Sequence, residues 1–321
     1  MTAHKLLYKS FPKKDGTFMH RPVESLHPYE LIIVDEVSML PKKMWEQLLS
    51  YHVHVIALGD PGQLPPVASE DNEVLNDPLI FLDEVMRQAK ENEIIQLSMD
   101  IRNGEPLKLQ SGREVRIVNK SELLKPGFLF WADQIICGKN ETRHYINDRM
   151  RKAYWKDQYT KEPIVGDKVI CLHNDWDFIN ETGDALVNGL TGTIININYI
   201  TDTMANPYMA RTPIIRFQPD IADTAPFNRL EIDYKLITTG EPTITRGVNS
   251  NWGKIPKGYH PHEFDYGYAI TCHKSQGSEF DKVIVLEEYM KNETKEGHMR
   301  WLYTAATRAS NKLIIVRNYR P

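Results

Sequence analysis

Cysteine is scarce in this sequence: 321 residues hold three thiols, Cys137, Cys171 and Cys272. Odd in number and scattered, they form neither a disulfide framework nor a paired-cysteine zinc site, and they fit a reducing compartment. Long apolar runs are missing too, so no segment reads as a membrane span. The N-terminal stretch MTAHKLLYKSFPKKDG has no apolar signal-peptide core. Charge of one sign is also lacking, with a formal net charge of −4. A weak net charge leaves nucleic-acid binding open, because local patches matter more than the sum. Arg300 to Pro321 carries five basic residues and no acidic one, and Lys139 to Lys168 carries eight basic against five acidic. On charge alone, a solvated surface explains both. The last absence is chemical. Gly-Lys followed by Ser or Thr occurs nowhere: Gly138-Lys139 runs into Asn140, and Gly253-Lys254 into Ile255.

What is present belongs to a soluble globular protein, at 41% hydrophobic and 26% charged residues. The length allows about two domains. Asp15-Gly16 sits between two short segments of residues 5–28 and signals a hairpin. ELIIVDE, PKKMWEQLLSY and VHVIALGD then read as strand, helix and strand, a βαβ unit that demands a parallel sheet. NEVLNDPLIFLDEVMRQ and NEIIQLSMDIRNG read as further helical or mixed segments, the second ending at Gly104. DQIICGKNETRHYINDRMRKAYW reads as a strand followed by an amphipathic helix with Asn140 near its cap. Between about 163 and 262 the segments are short, β-rich and broken by Gly, Pro and Asn, which predicts a small β-barrel. Strand–loop–helix patterning then returns in YGYAITCHKSQGSEFDKVIVLEE and RWLYTAATRASNKLIIVRN.

Acids at the carboxyl ends of parallel strands stand where such sheets place ligands. Asp35 can hold a magnesium ion and Glu36 can orient an attacking water. Taken alone, an Asp-Glu pair at a strand end is more often plain surface. The next strand ends in GDPGQLPPV, where Gln63 offers a neutral amide that can sense a γ-phosphate and Pro65-Pro66 stiffen the loop. Lys274-Ser275 is no phosphate loop, because no glycine-rich turn leads into it. His260, His262 and Glu263 in YHPHEF want a fourth ligand and a rigid element before they make a zinc site, so a solvated loop explains them better.

Five segments in order carry a resemblance: VDEVSM (34–39), GDPGQLPPV (59–67), LDEVMRQ (82–88), YAITCHKSQGSEFD (268–281) and LYTAATRA (302–309). They resemble the Walker B motif and motifs III, IV, V and VI of superfamily 1 DNA helicases of the RecD-like and phage Dda-like group. DALVNGLTGTI resembles the SH3-like insert of that family. The resemblance implies an α/β fold of two RecA-like parallel-sheet domains with a small SH3-like β insert in the second. It places the first at 1–105 (hairpin about 8–25), the second at 106–162 and 263–321, and the insert at 163–262. It also implies ATP and Mg2+ as cofactors, single-stranded or fork DNA as partner, 5′-to-3′ travel, and a role in replication, repair or recombination. The cytoplasm of a bacterial or phage-infected cell is the expected location, with no membrane.

Roles carry over residue by residue. Asp35 would bind magnesium, Glu36 would activate water, and Gln63 would report the γ-phosphate. Arg87 and Arg308 would reach that phosphate, since a planar guanidinium neutralises charge building on its oxygens. Asp60, Gln276, Gly277 and Glu279 would line the nucleotide. Thr271, His273 and Pro65 would contact DNA, and Phe11 or Phe18 would form the pin at the fork, stacking on a base. The alternative for both rings is simply to hold the hairpin together. The family's G-x-x-G-x-G-K-[ST] loop has no counterpart here, which leaves the first RecA-like domain incomplete. Three expectations follow: the C-terminal part of a split helicase whose second polypeptide supplies the loop; a truncated product without its own ATPase; or a non-catalytic single-stranded-DNA-binding or assembly module. A sheet short of a central strand is also expected to expose edges and apolar surface.

Overall fold

The computed structural model describes residues 2–12, 18–66, 73–82, 92–200, 212–243, 261–291 and 293–319. The chain folds as two compact units: Met1–Phe128 with Ser275–Arg320, and Leu129–Lys274.

The first unit opens on a short helix, Ala3–Leu7, capped by the Thr2 hydroxyl. The predicted hairpin follows as antiparallel strands Tyr8–Pro12 and Phe18–Pro22, with Tyr8 opposite Pro22 and Pro12 opposite Phe18. Its Asp15-Gly16 turn lies outside the described residues. The predicted βαβ unit is present: strands Leu31–Val34 and His54–Ala57 run parallel, joined by helix Lys42–Leu49. Pro41 stands at the cap of that helix, where a missing N–H costs nothing. One face of the strand pair packs into a core of Leu7, Leu26, Ile32 and Leu48, with Met44, Trp45 and Val55 against it. The other face is bare: Leu31, Ile33, Ile56 and Leu58 are 49%, 61%, 46% and 49% exposed. Parallel strands are ordinarily covered on both faces. Each of these side chains forgoes about 1 kcal/mol of burial.

Residues 73–82 are irregular rather than helical, and 83–91 lie outside the described residues. Helix Glu93–Arg102 follows, with the Asn92 side chain accepting from the Ile94 and Ile95 N–H groups, and Gly104 at φ +77° just beyond its end. The Glu93 carboxylate accepts from the backbone N–H groups of Arg113, Glu114 and Val115, which hold its pKa below the usual carboxylate value. This ties the helix to strand Val115–Asn119. That strand, Ala309–Arg317 and Phe280–Leu286 run parallel, with Gln110–Ser111 antiparallel at one edge. The runs Val283–Leu286 and Leu313–Val316 are almost wholly buried, which is why they read as continuous apolar stretches. Helix Lys295–Ala306, capped by Thr294, buries Trp301, Leu302, Ala305 and Ala306.

In the second unit, strand Gln134–Cys137 runs parallel to Ala269–Thr271. Helix Asn140–Trp155 has Asn140 as its first residue, while Lys139 holds the cap position without a side-chain capping bond to the helix. The predicted β-rich region is an antiparallel sheet ordered Phe227–Glu231, Thr212–Pro219, Thr191–Ile200, Lys168–Cys171 and Phe264–Tyr266. Asp175–Ile179 and Ala185–Leu186 add a small hairpin. Ile194, Phe217, Phe227, Leu230 and Phe264 form its core. A buried ion pair fastens the long helix to the start of this sheet. Arg151 donates Nε and Nη2 to the two Asp167 oxygens, both at 2.9 Å. The Trp155 indole, the Tyr268 hydroxyl and the Ile164 N–H also donate to Asp167.

Candidate functional site

Two adjacent parallel strands set the first group of residues. Pairing continues past their ends: the Leu58 N–H donates to the Val34 carbonyl and the Val37 N–H to the Leu58 carbonyl. That brings Asp35-Glu36 and the loop after Gly59 out on the same end of the sheet. Gly59 allows the approach, since a Cβ there would lie 2.9 Å from Val37 Cγ1. Glu36 takes a left-handed backbone conformation at φ 52°, uncommon for a residue with a side chain. Its N–H donates to Asp35 Oδ1 at 2.9 Å, and the Asp35 side chain is exposed. Among the described residues, buried Glu36 Oε2, Ser38 Oγ and Gln63 Oε1 find no hydrogen-bond partner. Buried polar groups are normally paired, so this group is the place to look for a ligand.

The loop 60–64 is held from the far end of the sequence. The Tyr303 hydroxyl donates to Asp60 Oδ2 at 2.5 Å, and the Gly62 N–H to Asp60 Oδ1 at 2.8 Å. Burial, then the Asp60 carboxylate, push the Tyr303 phenol well above its ordinary pKa. The Leu64 N–H donates to Thr304 Oγ1 at 3.0 Å, and Gln276 Nε2 to the Leu64 carbonyl at 3.2 Å. The side chains of Asp60 and Gln276, expected to line a nucleotide, therefore fix the loop that carries Gln63. Pro65 follows this clamp, half-buried. Sequence reasoning assigned nothing to Tyr303 and Thr304, and their only signal was proximity to Arg308.

Arg308 is 8% exposed and folded onto backbone. Nε donates to the Thr304 carbonyl, Nη1 to the Ser278 carbonyl and Nη2 to the Thr307 hydroxyl. Gly277 turns at φ +74° and Glu279 is exposed beside it. Arg87 lies outside the described residues. In the second unit, Thr271 closes its strand and His273 is exposed on the helical turn Cys272–Ser275 after it, with desolvation drawing the His273 pKa down. Phe11 is 43% exposed on the hairpin, with the Arg21 guanidinium 5.8 Å from its ring centre. The Phe18 side chain lies outside the described residues. His262 pairs with Asp175 at 3.6 Å and Glu263 with His173 at 2.6 Å. Among the described residues, no group of three or more His, Cys, Asp or Glu side chains is arranged to hold a metal, and no helix is long and apolar enough to cross a membrane.

Comparison with known proteins bears on both ends of this arrangement. A UvrD-like helicase C-terminal domain matches residues 266–316, and an AAA domain matches residues 1–121. These two matches, with the RecD2 relative below, support a superfamily 1 DNA helicase of the RecD-like group. Similar proteins include the ATP-dependent RecD2 DNA helicase of Deinococcus radiodurans, 40% identical over 94 residues, or 27% of this chain and 13% of that protein. Uncharacterized protein R530 of Acanthamoeba polyphaga mimivirus is 23% identical over 88% of this chain and 74% of its own length. The crystal structure of the Pif1 helicase from Candida albicans shares the fold, with a TM-score of 0.53 and 18% identity over 90% of this chain and 72% of that one.

Proposed function

We propose that this helicase is an ATP-driven motor on single-stranded DNA whose nucleotide phosphates are held by a loop from outside these 321 residues. The observation that carries the reading is the set of orphaned polar atoms, Glu36 Oε2 and Gln63 Oε1, beside exposed Asp35. A carboxylate pair at a strand end suits magnesium, which prefers oxygen ligands. Asp35 would hold the ion, which when bound would offset charge on the nucleotide phosphates. Glu36 would orient the attacking water and accept its proton, and Gln63 would sense the terminal phosphate. Arg308 and Arg87 would neutralise charge building on the transferred group. Thr271, His273 and Pro65 would hold the DNA backbone, and Phe11 or Phe18 would stack at the fork, with 5′-to-3′ travel following from the motif resemblance. Two RecA-like domains at 1–105 and at 106–162 with 263–321, and an SH3-like insert at 163–262, complete the proposed organisation.

The bare sheet face supports an outside source for the phosphate loop. Leu31, Ile33, Ile56 and Leu58 offer an apolar surface to a covering helix. A strand–G-x-x-G-x-G-K-[ST]–helix segment has such a helix and brings backbone N–H groups for the phosphates. The test is phosphate release from MgATP with and without oligo-dT. The 321 residues should bind oligo-dT yet release little phosphate. Adding a polypeptide with the loop segment should restore turnover that Glu36→Gln abolishes and Ile33→Lys prevents. Robust turnover by the chain alone, lost in Glu36→Gln, would sink the outside loop. Failure to bind oligo-dT would sink the motor reading itself.

A further inference from the structure

Lys274, on the segment assigned to DNA above, is partly buried and already hydrogen-bonded. Lys274 follows His273, yet its Nζ donates to Asn188 Oδ1 at 2.6 Å and lies 3.4 Å from the Leu172 carbonyl. Both acceptors belong to the β-rich insert, Asn188 in the connection between strands Ala185–Leu186 and Thr191–Ile200. The connection is itself pinned. The Asn188 N–H donates to Asn174 Oδ1 at 2.8 Å, and the Gly189 N–H to the Cys171 carbonyl at 2.9 Å. Gly189 takes φ +91°, and a Cβ there would stand 3.3 Å from the Lys274 carbonyl. Backbone therefore packs on backbone where Gly189 meets Lys274, and glycine fits there without strain. Burial, and then the neighbouring Arg143, lower the Lys274 pKa, as expected for an ammonium withdrawn from water.

We infer that Asn188 and Gly189 are positioning residues: through Lys274 they fix the 271–275 turn, so that the insert sets the grip of Thr271 and His273 on the DNA backbone. This rests on the proposed single-stranded-DNA function and adds to it a place where movement of the insert would be felt at the DNA. A lysine held by a neutral amide contributes alignment rather than charge. Phosphate contacts are read by the salt dependence of binding, with a slope for single strands of roughly 0.7 per contact. Loss of alignment changes affinity and leaves the slope alone.

The experiment is oligo-dT binding by the full chain, followed by fluorescence anisotropy across a salt series. Asn188→Ala should weaken binding about fivefold with an unchanged salt slope. Asn188→Asp, which still offers an oxygen to the ammonium, should bind as the unaltered chain does. Gly189→Ala should copy Asn188→Ala, and adding Lys274→Met to Asn188→Ala should cause no further loss. Thermal melts identify any variant that fails to fold, and Asn188→Ser then replaces Asn188→Ala. Unchanged affinity in Asn188→Ala would overturn the inference alone. So would a shallower salt slope in Lys274→Met, which would make Lys274 a direct phosphate contact. Unchanged binding in Thr271→Ala with His273→Ala would overturn the assignment of the turn to DNA, and the inference with it. No binding by the unaltered chain would overturn the proposed function as well.

Discussion

Asp167 and Gln63 are both buried polar side chains, at 0% and 8% exposure, and the fold treats them in opposite ways. Asp167 accepts five hydrogen bonds, from Arg151 twice, Trp155, Tyr268 and Ile164. The Arg151 guanidinium also lies 3.9 Å from the Tyr266 ring centre. Gln63 keeps Oε1 without a partner among the described residues, as does Glu36 Oε2 at the end of the neighbouring strand. The first is a fastening: a charge withdrawn from water is stable only with its other charge and a full set of donors. The second bears a cost that stability alone does not explain, and such local costs concentrate at functional sites. Satisfaction of polar groups thus distinguishes Asp167 from Gln63 where burial does not.

The largest expected effect breaks the fastening. Asp167→Asn keeps the shape, removes the charge and turns one acceptor into a donor aimed at other donors. Arg151 is then left buried and unpaired. The expected loss is about 3–5 kcal/mol in urea unfolding. Cys171 supplies a second readout in the same unit. Burial pushes its thiol up to about 12, so it should resist iodoacetamide in the native chain and become reactive as the unit opens. A loss below about 1 kcal/mol, with Cys171 still protected, would mean that Asp167 fastens little.

Tyr303→Phe is expected to cost less, because Asp60 is partly solvated and water can replace the lost donor. A loss of about 1–2 kcal/mol is expected. In a cycle with Asp60→Asn, the two changes should couple by about 1 kcal/mol, as contacting residues do. Additive effects would show that the phenol and the carboxylate do not hold the loop 60–64 together.

Much of this was legible from local pattern. LIIVDEVSML announced a strand ending in acids, because the apolar run and the carboxylates are neighbours in the chain. The hairpin pairing, the helix after Pro41 and the β-rich insert were equally local. The exposed apolar surface of Leu31, Ile33, Ile56 and Leu58 was expected as well, though from motif order rather than local pattern. The parts that were not legible join distant residues. Leu64 meets Thr304 across 240 positions, and Lys274 meets Asn188 across 86. Neither threonine, tyrosine nor asparagine announces a partner at such range, since each is satisfied by many neighbours. Asp60 and Gln276 show the consequence. Their motifs placed them beside a nucleotide, and the fold also ties their side chains to the loop that carries Gln63.

The smallest effect sharpens the other half of the comparison. Gln63→Leu removes the amide whose oxygen has no partner and leaves a side chain of similar volume. Deleting an unsatisfied buried polar atom removes a desolvation cost of about 1–3 kcal/mol, partly offset by the amide nitrogen's own interactions. Stability in urea should therefore stay level or rise by up to about 1 kcal/mol, the opposite sign to Asp167→Asn. Where a loop-bearing polypeptide restores turnover, the same change should abolish the response of DNA binding to nucleotide. A drop of more than about 1 kcal/mol in Gln63→Leu would mean that the amide is already paired in the resting chain. The contrast with Asp167 would then vanish, and Gln63 would join the fastenings instead of facing a ligand.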